Sequence, residues 1–253
     1  MKRHLLFIIT SITLLWSATC HALGDGTLGY GGGVNDNPHN LSSQSSTPGG
    51  ETDYKASTET QICIFCHTPH GATANAPLWG RPDSTETFNI RAGLQISNST
   101  IVNTTLYGNT TDPNEYPNGA SKLCLSCHDG VTALGILSDG YEIEMVSSDL
   151  ATAIDLTMSH PVSFVYNGTV QSFLGASYIY PGAGSIYLET DSGGVTRVQC
   201  TSCHQPHQDT KGTGSGIYPF WKGDGLASDY DPVCQACHTS TPTTYTIPNS
   251  HTH

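Results

Sequence analysis

The sequence predicts a mostly irregular chain with a few short α-helices and one β-hairpin. Three observations predict this class. Only 36% of the 253 residues are hydrophobic, and Gly (27) and Pro (14) recur along the chain. A composition of this kind favours loops over a packed side-chain core. The third observation is the pentapeptide Cys-x-x-Cys-His, which occurs four times and requires a defined local structure. The core is therefore expected to contain something besides side chains.

Residues 1–22 have the features of a secretory signal peptide. Lys2 and Arg3 precede an apolar run from Leu5 to Trp16, which is too short to span a bilayer. Cleavage is expected after Ala22. The mature protein is then expected to be secreted, outside the cell or on its surface, with the periplasm as the alternative.

Removal of this leader changes the cysteine count and the charge. The mature chain has 253 − 22 = 231 residues, 9 − 1 = 8 cysteines and a net charge of (9 − 2) − 21 = −14. All eight remaining cysteines belong to the four motifs, so none is left for a disulfide. A lipoprotein with lipidated Cys20 is the alternative to cleavage. A chain this acidic is a poor ligand for nucleic acid.

The mature region, residues 23–253, is predicted to form one domain. Its first part, residues 23–50, is rich in Gly, Ser and Asn and is predicted to be an extended arm. The motifs are separated by 61, 76 and 34 residues, so they do not form a regular repeat array.

Short helices are predicted at three of the motifs. A capping box at residues 58–61 precedes the first motif. Ser121 is the expected N-cap before the second motif, and Gly130 is expected to close that helix. Before the fourth motif, the Asp-Pro pair at 231–232 is typical of an N-cap followed by proline at the first helical position.

The chain between the second and third motifs is predicted to be β-rich. Residues 162–166 form one candidate strand. Residues 186–190 and 195–199 are predicted to pair as a hairpin around the turn at 191–194. This hairpin leads directly into the third motif. Residues 97–119 are polar and turn-rich and are predicted to be a surface loop.

The repeated pentapeptide is the signature of covalent attachment of c-type haem. Its two thiols add across the two vinyl groups of one haem, and the adjacent histidine binds the iron. Four motifs predict four haems and their irons. The attachment cysteines are Cys63, Cys66, Cys124, Cys127, Cys200, Cys203, Cys234 and Cys237. The proximal histidines are His67, His128, His204 and His238.

Four macrocycles account for the unusual composition. With 231/4, or about 58, residues for each haem, most of the chain must contact a haem. A large apolar ring replaces side chains as core material, and covalent and metal bonds tie the chain to it. The haem-free chain is therefore predicted to be unfolded. Zinc binding by the cysteine pairs is a weaker alternative, because a histidine directly after each pair does not fit zinc-site spacing.

Second axial ligands are predicted from the six histidines that lie outside the leader and the motifs. His70 and His207 each follow a proximal histidine by three residues, with a proline between. The proline ends the helical turn, so the trailing imidazole points away from its own haem and is placed to reach a neighbouring one. His160 is a third candidate, with Met158 as its rival.

The fourth axial position has three candidates. His39 lies in the predicted arm, and His251 and His253 lie in the C-terminal tail. We expect His39 to complete the set, bound to a haem of its own subunit or of the next one.

The chain resembles the doubled-CxxCH multihaem cytochromes in the segments CIFCHTPH, CTSCHQPH, SHPV and PHNLS. With four haems and a secretory leader, it is similar to the extracellular tetrahaem cytochromes that polymerise as nanowires of the OmcE type. The resemblance implies closely stacked bis-His haems, little regular secondary structure, and one distal histidine donated across a subunit interface, which by position is His39. The second and fourth motifs lack a trailing histidine, so their distal ligands must come from elsewhere.

Electron transfer without substrate chemistry is the function expected from this reading, and the chain is not expected to be an enzyme. Two strong ligands on each iron leave no open position, and the absence of Met ligation predicts low potentials. The expected partners are further copies of the chain in a head-to-tail filament, other cytochromes as electron donors and extracellular acceptors. A discrete tetrahaem carrier is the second hypothesis. A multihaem reductase is the third and requires one five-coordinate haem.

Overall fold

The structure is a computed structural model that describes part of the chain. The described residues are 39–45, 54–73, 78–89, 105–107, 117–146, 150–151, 153–168, 186–190, 193–207, 222 and 230–237. The predicted leader, the arm up to residue 38, His238 and the C-terminal tail with His251 and His253 lie outside them.

Short elements are connected by long irregular segments. A 3-10 helix spans Cys63–Phe65. The α-helices are α1 (Gly119–Leu125), α2 (Cys200–Cys203) and α3 (Tyr230–Gln235). The strands are β1 (Thr87–Asn89), β2 (Thr105–Tyr107), β3 (Phe164–Val165), β4 (Glu189–Thr190) and β5 (Thr196–Val198). The expected mostly irregular fold with short helices is confirmed at this coarse level. The longest described helix has seven residues, so none of the described helices is long enough to cross a membrane.

The predicted hairpin is confirmed. Strands β4 and β5 pair antiparallel, with Glu189 opposite Arg197 and Thr190 opposite Thr196. Strand β3 adds to the other edge of β5, with Phe164 opposite Val198, so the sheet has the order β3-β5-β4. This arrangement carries the chain from β5 directly into α2.

The surface-loop prediction for residues 97–119 is wrong in part. Residues 105–107 form β2, which pairs antiparallel with β1. Residues 119 onward belong to α1. The error has a physical cause, because a three-residue strand is stabilised by its partner strand more than by its own sequence.

The predicted helix starts are also corrected. Ser121 lies inside α1, whose N-cap is Asn118, and Asp231 lies inside α3. No capping box forms at 58–61; Glu59 instead accepts a hydrogen bond from the Gln61 backbone, 2.7 Å long. A capping box does form at α2, between Gln199 and Ser202, where none was predicted.

Two small apolar clusters flank the motif regions. Ala56, Phe65, Leu137 and Ile143 form the first cluster, and Phe88, Leu125 and Leu156 form the second. Each cluster contains one residue of a motif region, either Phe65 of the 3-10 helix or Leu125 of α1. The side-chain core of the described residues is therefore small and lies immediately beside the cysteine motifs.

The end of the predicted arm is packed against the first cluster. Leu41 contacts this cluster, and its carbonyl accepts a hydrogen bond of 2.8 Å from the Ala56 backbone. The buried Asn40 side chain accepts bonds from the backbone and hydroxyl of Ser42 at 3.2 and 2.7 Å. His39 is thereby held at a fixed place beside the first two motifs.

Candidate cofactor site

One local geometry is common to the first three motifs. The backbone N–H of the motif histidine donates to the carbonyl of the first cysteine, at 2.8 Å for His67, 3.0 Å for His128 and 3.0 Å for His204. This bond closes a helical turn, which brings residues three and four apart onto one face. Both cysteines and the histidine of a motif are thus directed to the same side. The fourth motif shows the start of the same turn, with 3.1 Å from the Cys237 N–H to the Cys234 carbonyl.

The first and second motifs are anchored by different contacts. After the first, His67 forms an isolated β-bridge with Trp79, and the indole lies edge-on to the imidazole at 5.8 Å between ring centres. After the second, the Asp129 carboxylate accepts bonds from the Val131 and Thr132 backbones at 3.0 and 2.8 Å. Burial raises the pKa of Asp129, but hydrogen bonds from Ser84 and Thr132 outweigh this and lower it overall.

A buried amide network joins the second motif to the third. The Gln199 carbonyl oxygen accepts from the hydroxyls of Ser121 (2.6 Å) and Ser163 (3.2 Å), and its amide nitrogen donates to Asn118 Oδ1 at 2.9 Å. The Ser121 hydroxyl accepts from the Cys200 backbone at 3.0 Å. The network therefore fixes α1 against α2. Sequence reasoning missed these polar residues, because nothing in their local pattern distinguishes them from loop residues.

Cysteines that belong to different motifs lie close to one another. The Cys124 and Cys200 thiols are hydrogen-bonded to each other, which raises the pKa of Cys124 and lowers that of Cys200. Cys66 of the first motif lies near Cys127 of the second, and burial raises the pKa of Cys66 to about 12. Burial likewise raises the pKa of Cys203, near Cys234 and Cys237, to about 12. Each described motif thus lies beside the next one.

Cys63 differs from the other motif cysteines. It is in a disulfide whose partner lies outside the described residues, whereas the other seven are free thiols. The expectation of no disulfide concerned the mature chain, and it stays a prediction, because the only cysteine of the sequence outside the motifs is Cys20 in the predicted leader.

Two pairs of imidazoles are the most informative feature of the site. The ring centres of His67 and His207 lie 6.1 Å apart, with 27° between the ring planes. Those of His39 and His128 also lie 6.1 Å apart, with 49° between the planes. Each pair joins the proximal histidine of one motif to a histidine outside that motif. His207 therefore contacts the first motif and not its own.

The spacing of these pairs fits two axial ligands on one iron. A metal–imidazole bond is about 2.0 Å long and the ring centre lies about 1.1 Å behind the bound nitrogen, so opposed axial imidazoles have ring centres about 6.2 Å apart. A porphyrin supplies the other four ligands of an iron. No group of three or more His, Cys, Asp or Glu side chains suited to a metal ion was found in the described part of the chain.

In three candidate ligands, one ring nitrogen of the imidazole faces a backbone carbonyl. His39 Nδ1 lies 3.4 Å from the Pro206 carbonyl, and His160 Nδ1 lies 2.8 Å from the Pro161 carbonyl. The His67 ring is hydrogen-bonded to the Leu78 backbone. A carbonyl only accepts, so the facing nitrogen carries the proton and leaves the other nitrogen able to bind a metal.

Burial favours the neutral form of His39 and His67. Burial, followed by the neighbouring His128, lowers the pKa of His39 to about 4. Burial and the neighbouring His207 lower the pKa of His67. Neutral imidazole is the form that binds metal.

The other candidate distal ligands in the described part of the chain are exposed. His70 is exposed, and in the part of the chain that the structure describes it contacts no other imidazole ring. His160 is also exposed, and the rival Met158 is 59% exposed. His204 lies close enough to His39 to affect its titration. His39 lies beside His128 of the same chain, and whether it also reaches another subunit stays a prediction.

The comparisons with known proteins identify no relatives. No protein-family model matches the chain, and no curated protein matches it in sequence.

Proposed function

We propose that this chain is a tetrahaem c-type cytochrome that transfers electrons and does not transform a substrate. The observation that carries the proposal is the pair of histidine contacts, His67 with His207 and His39 with His128, each with 6.1 Å between ring centres. Two independent pairs have the same spacing, and each contains the histidine of a Cys-x-x-Cys-His motif. This agreement supports bis-His ligation of the first two irons.

The proposal assigns a role to each described residue of the site. The cysteine pairs hold the macrocycles by thioether bonds, and a bound haem supplies a one-electron couple. His67 and His207 provide the axial pair for the first motif, and His128 and His39 provide it for the second. His204 and His238 are the proximal ligands of the other two, for which His70 and His160 are the remaining predicted distal ligands.

Contacts between motifs support transfer from one centre to the next. The Cys124 and Cys200 thiols are hydrogen-bonded, and Cys66 lies near Cys127. Attachment points this close would bring the edges of neighbouring macrocycles near each other. We therefore propose that the four haems form a continuous chain within one molecule.

The physiological setting belongs to the same proposal. The secretory leader and the acidic mature chain favour an extracellular or surface location, with homopolymeric filaments, other cytochromes as donors and extracellular acceptors. Because His39 and His207 lie beside motif histidines of their own chain, we propose the exposed His70 as the donor of a ligand to a neighbouring subunit. A discrete carrier is the alternative, and a reductase is less well supported because the proposal assigns two axial ligands to each of the first two irons.

The test combines mass spectrometry with electron paramagnetic resonance on the secreted protein. We expect a mass increase equal to four haems on a chain that begins at residue 23, and low-spin ferric signals from all four. Fewer than four attached haems would contradict the proposal. A high-spin signal that nitrite or cyanide perturbs would instead favour the reductase.

A further inference from the structure

Three buried polar atoms without a partner lie within nine residues of one another in the sequence. They are Thr73 Oγ1, Trp79 Nε1 and Arg81 Nε, and the described residues contain no other buried side-chain nitrogen or oxygen in this state. Folded proteins rarely leave buried donors unsatisfied, because the desolvation cost is not recovered. All three belong to the segment that follows the first motif.

This segment folds back onto the first motif. The Thr73 backbone donates to the Trp79 carbonyl at 2.9 Å, and the Gly80 backbone donates to the Cys66 carbonyl at 2.8 Å. The Trp79 indole lies edge-on to the His67 ring. The unsatisfied atoms are thus placed beside a candidate axial ligand and an attachment cysteine.

Arg81 is fully buried and has no anionic partner among the described residues. Its terminal nitrogens donate to the carbonyls of Leu134 and Ala133, the latter at 2.7 Å. The one ion pair found in the described residues joins Lys122 to Asp83 at 3.2 Å. A buried guanidinium with no counter-charge is costly, so an anion is expected there.

The neighbouring thiols do not supply that anion. Arg81 is hydrogen-bonded to the Cys127 thiol and lies near Cys66. In the proposed function both sulfur atoms are thioethers to haem, and a thioether carries no charge. Arg81 is nevertheless located between the attachment points of the first and second motifs.

We propose that Arg81, Trp79 and Thr73 form a carboxylate-binding site for a propionate of the haem carried by the first or second motif. This inference rests on the proposed function. The guanidinium Nε–H, the indole N–H and the hydroxyl are three donors, and a carboxylate has two oxygens that accept several bonds. Arg81 is a positioning residue that orients the macrocycle and places a positive charge beside it. A carboxylate from a part of the chain outside the described residues is the competing source of the same chemistry.

Isotope labelling distinguishes the two sources. Cells supplied with 5-aminolevulinic acid labelled with carbon-13 at its carboxyl carbon incorporate the label into haem propionates and not into the chain. We expect redox-difference infrared spectra of the wild-type protein to contain a carboxylate band that shifts with this label and moves in Arg81→Lys. If the band sensitive to Arg81 does not shift with the label, a chain carboxylate is the partner and the proposal is overturned.

A redox titration provides a second readout. A positive charge beside a haem disfavours the oxidised form more than the reduced form, because oxidation adds positive charge at the iron. Arg81→Gln removes such a charge beside two haems, so it should lower two of the four midpoint potentials. Lys55→Gln removes a partly exposed cation and is the matched control. It is expected to leave all four midpoint potentials unchanged. Unchanged midpoints in Arg81→Gln with four haems attached would overturn the inference. If Arg81→Gln does not retain haem, the infrared comparison of Arg81→Lys with the wild-type protein is the test. The haem count and spin state of the wild-type protein test the proposed function separately.

Discussion

The candidate axial ligands are histidines whose surroundings prepare them to bind a metal. The Pro206 carbonyl faces Nδ1 of His39, and burial lowers the pKa of this imidazole to about 4. At neutral pH the ring is uncharged, with one tautomer favoured. A second imidazole, His128, lies at the spacing that a shared iron requires. A surface histidine after a helix end would have none of these features.

The trailing histidines give a residue-scale prediction. His207 and His70 are both exposed, but His207 lies beside the His67 ring, whereas no ring contact of His70 is found among the described residues. His207→Ala should convert the first-motif haem of the isolated subunit to a high-spin, cyanide-binding form, because one axial ligand is lost. His70→Ala is the matched control and should leave that haem low-spin. Electron paramagnetic resonance and optical titration with cyanide provide the measurement. A low-spin first haem in His207→Ala would contradict the assigned pair.

The helices are short and depend on tertiary partners. An isolated helix of seven residues is unstable in water, so α1 requires contacts from outside its own sequence. Glu189 of β4 accepts a bond of 3.1 Å from the Ala120 backbone, and Gln199 contacts Ser121. These partners lie about 70 or more residues along the chain. Sequence reasoning looked for local caps and therefore misplaced the helix starts.

Gly119 gives an element-scale prediction. It has φ of +51°, and a Cβ there would lie 2.5 Å from both Gln199 Nε2 and Glu189 Oε1. Gly140 also has positive φ, +83°, but a Cβ there would meet nothing within 4 Å. Gly140→Ala should lower the free energy of unfolding by about 1 kcal/mol through backbone strain alone. Gly119→Ala should lower it by about 2–4 kcal/mol, because crowding of the buried network is added.

Denaturant unfolding of the haem-loaded variants checks this pair. Equal losses for the two substitutions would show that the network around Gln199 does not restrict the start of α1.

At the scale of the whole molecule, the side-chain core found among the described residues is too small to explain their order. The two apolar clusters contain four and three buried residues, respectively. Clusters of this size supply little free energy against the chain entropy, so covalent and metal bonds to the macrocycles are expected to stabilise the fold.

Haem removal gives the first prediction at this scale. A variant with all eight motif cysteines replaced by Ala should be unfolded, with the circular dichroism of an unordered chain and rapid proteolysis throughout. The wild-type haem-loaded protein is the control. Near-native circular dichroism and protease resistance in the haem-free variant would contradict the idea that the macrocycles form the core.

Filament assembly gives the second prediction at the scale of the whole molecule. His70→Ala should abolish filaments, because His70 is the proposed donor of an axial ligand to another subunit. His39→Ala should leave filaments intact while it converts the second-motif haem to high spin, since His39 lies beside His128 of its own chain. Electron microscopy of both purified variants provides the measurement. Filaments in His70→Ala, or their loss in His39→Ala alone, would contradict this assignment.

The sequence by itself determined the local chemistry of this protein. The spacing of each Cys-x-x-Cys-His motif specifies a helical turn with its three functional side chains on one side, and the alternating pattern at 186–199 specifies the hairpin. The four-residue link between a proximal and a trailing histidine also predicts that the second ring cannot serve the same iron. These features depend on residues close together in the chain, where covalent geometry limits the possible arrangements.

Only the tertiary structure decided which histidines meet. His67 and His207 are separated by 140 residues, and His39 and His128 by 89, so no local rule pairs them. The Gln199 network sets α2 against α1, and the contacts of Leu41 hold His39 near the second motif. Tertiary packing also buries Arg81, with no anionic partner among the described residues. Such pairings depend on the simultaneous packing of distant segments, and the sequence pattern around each residue does not encode them.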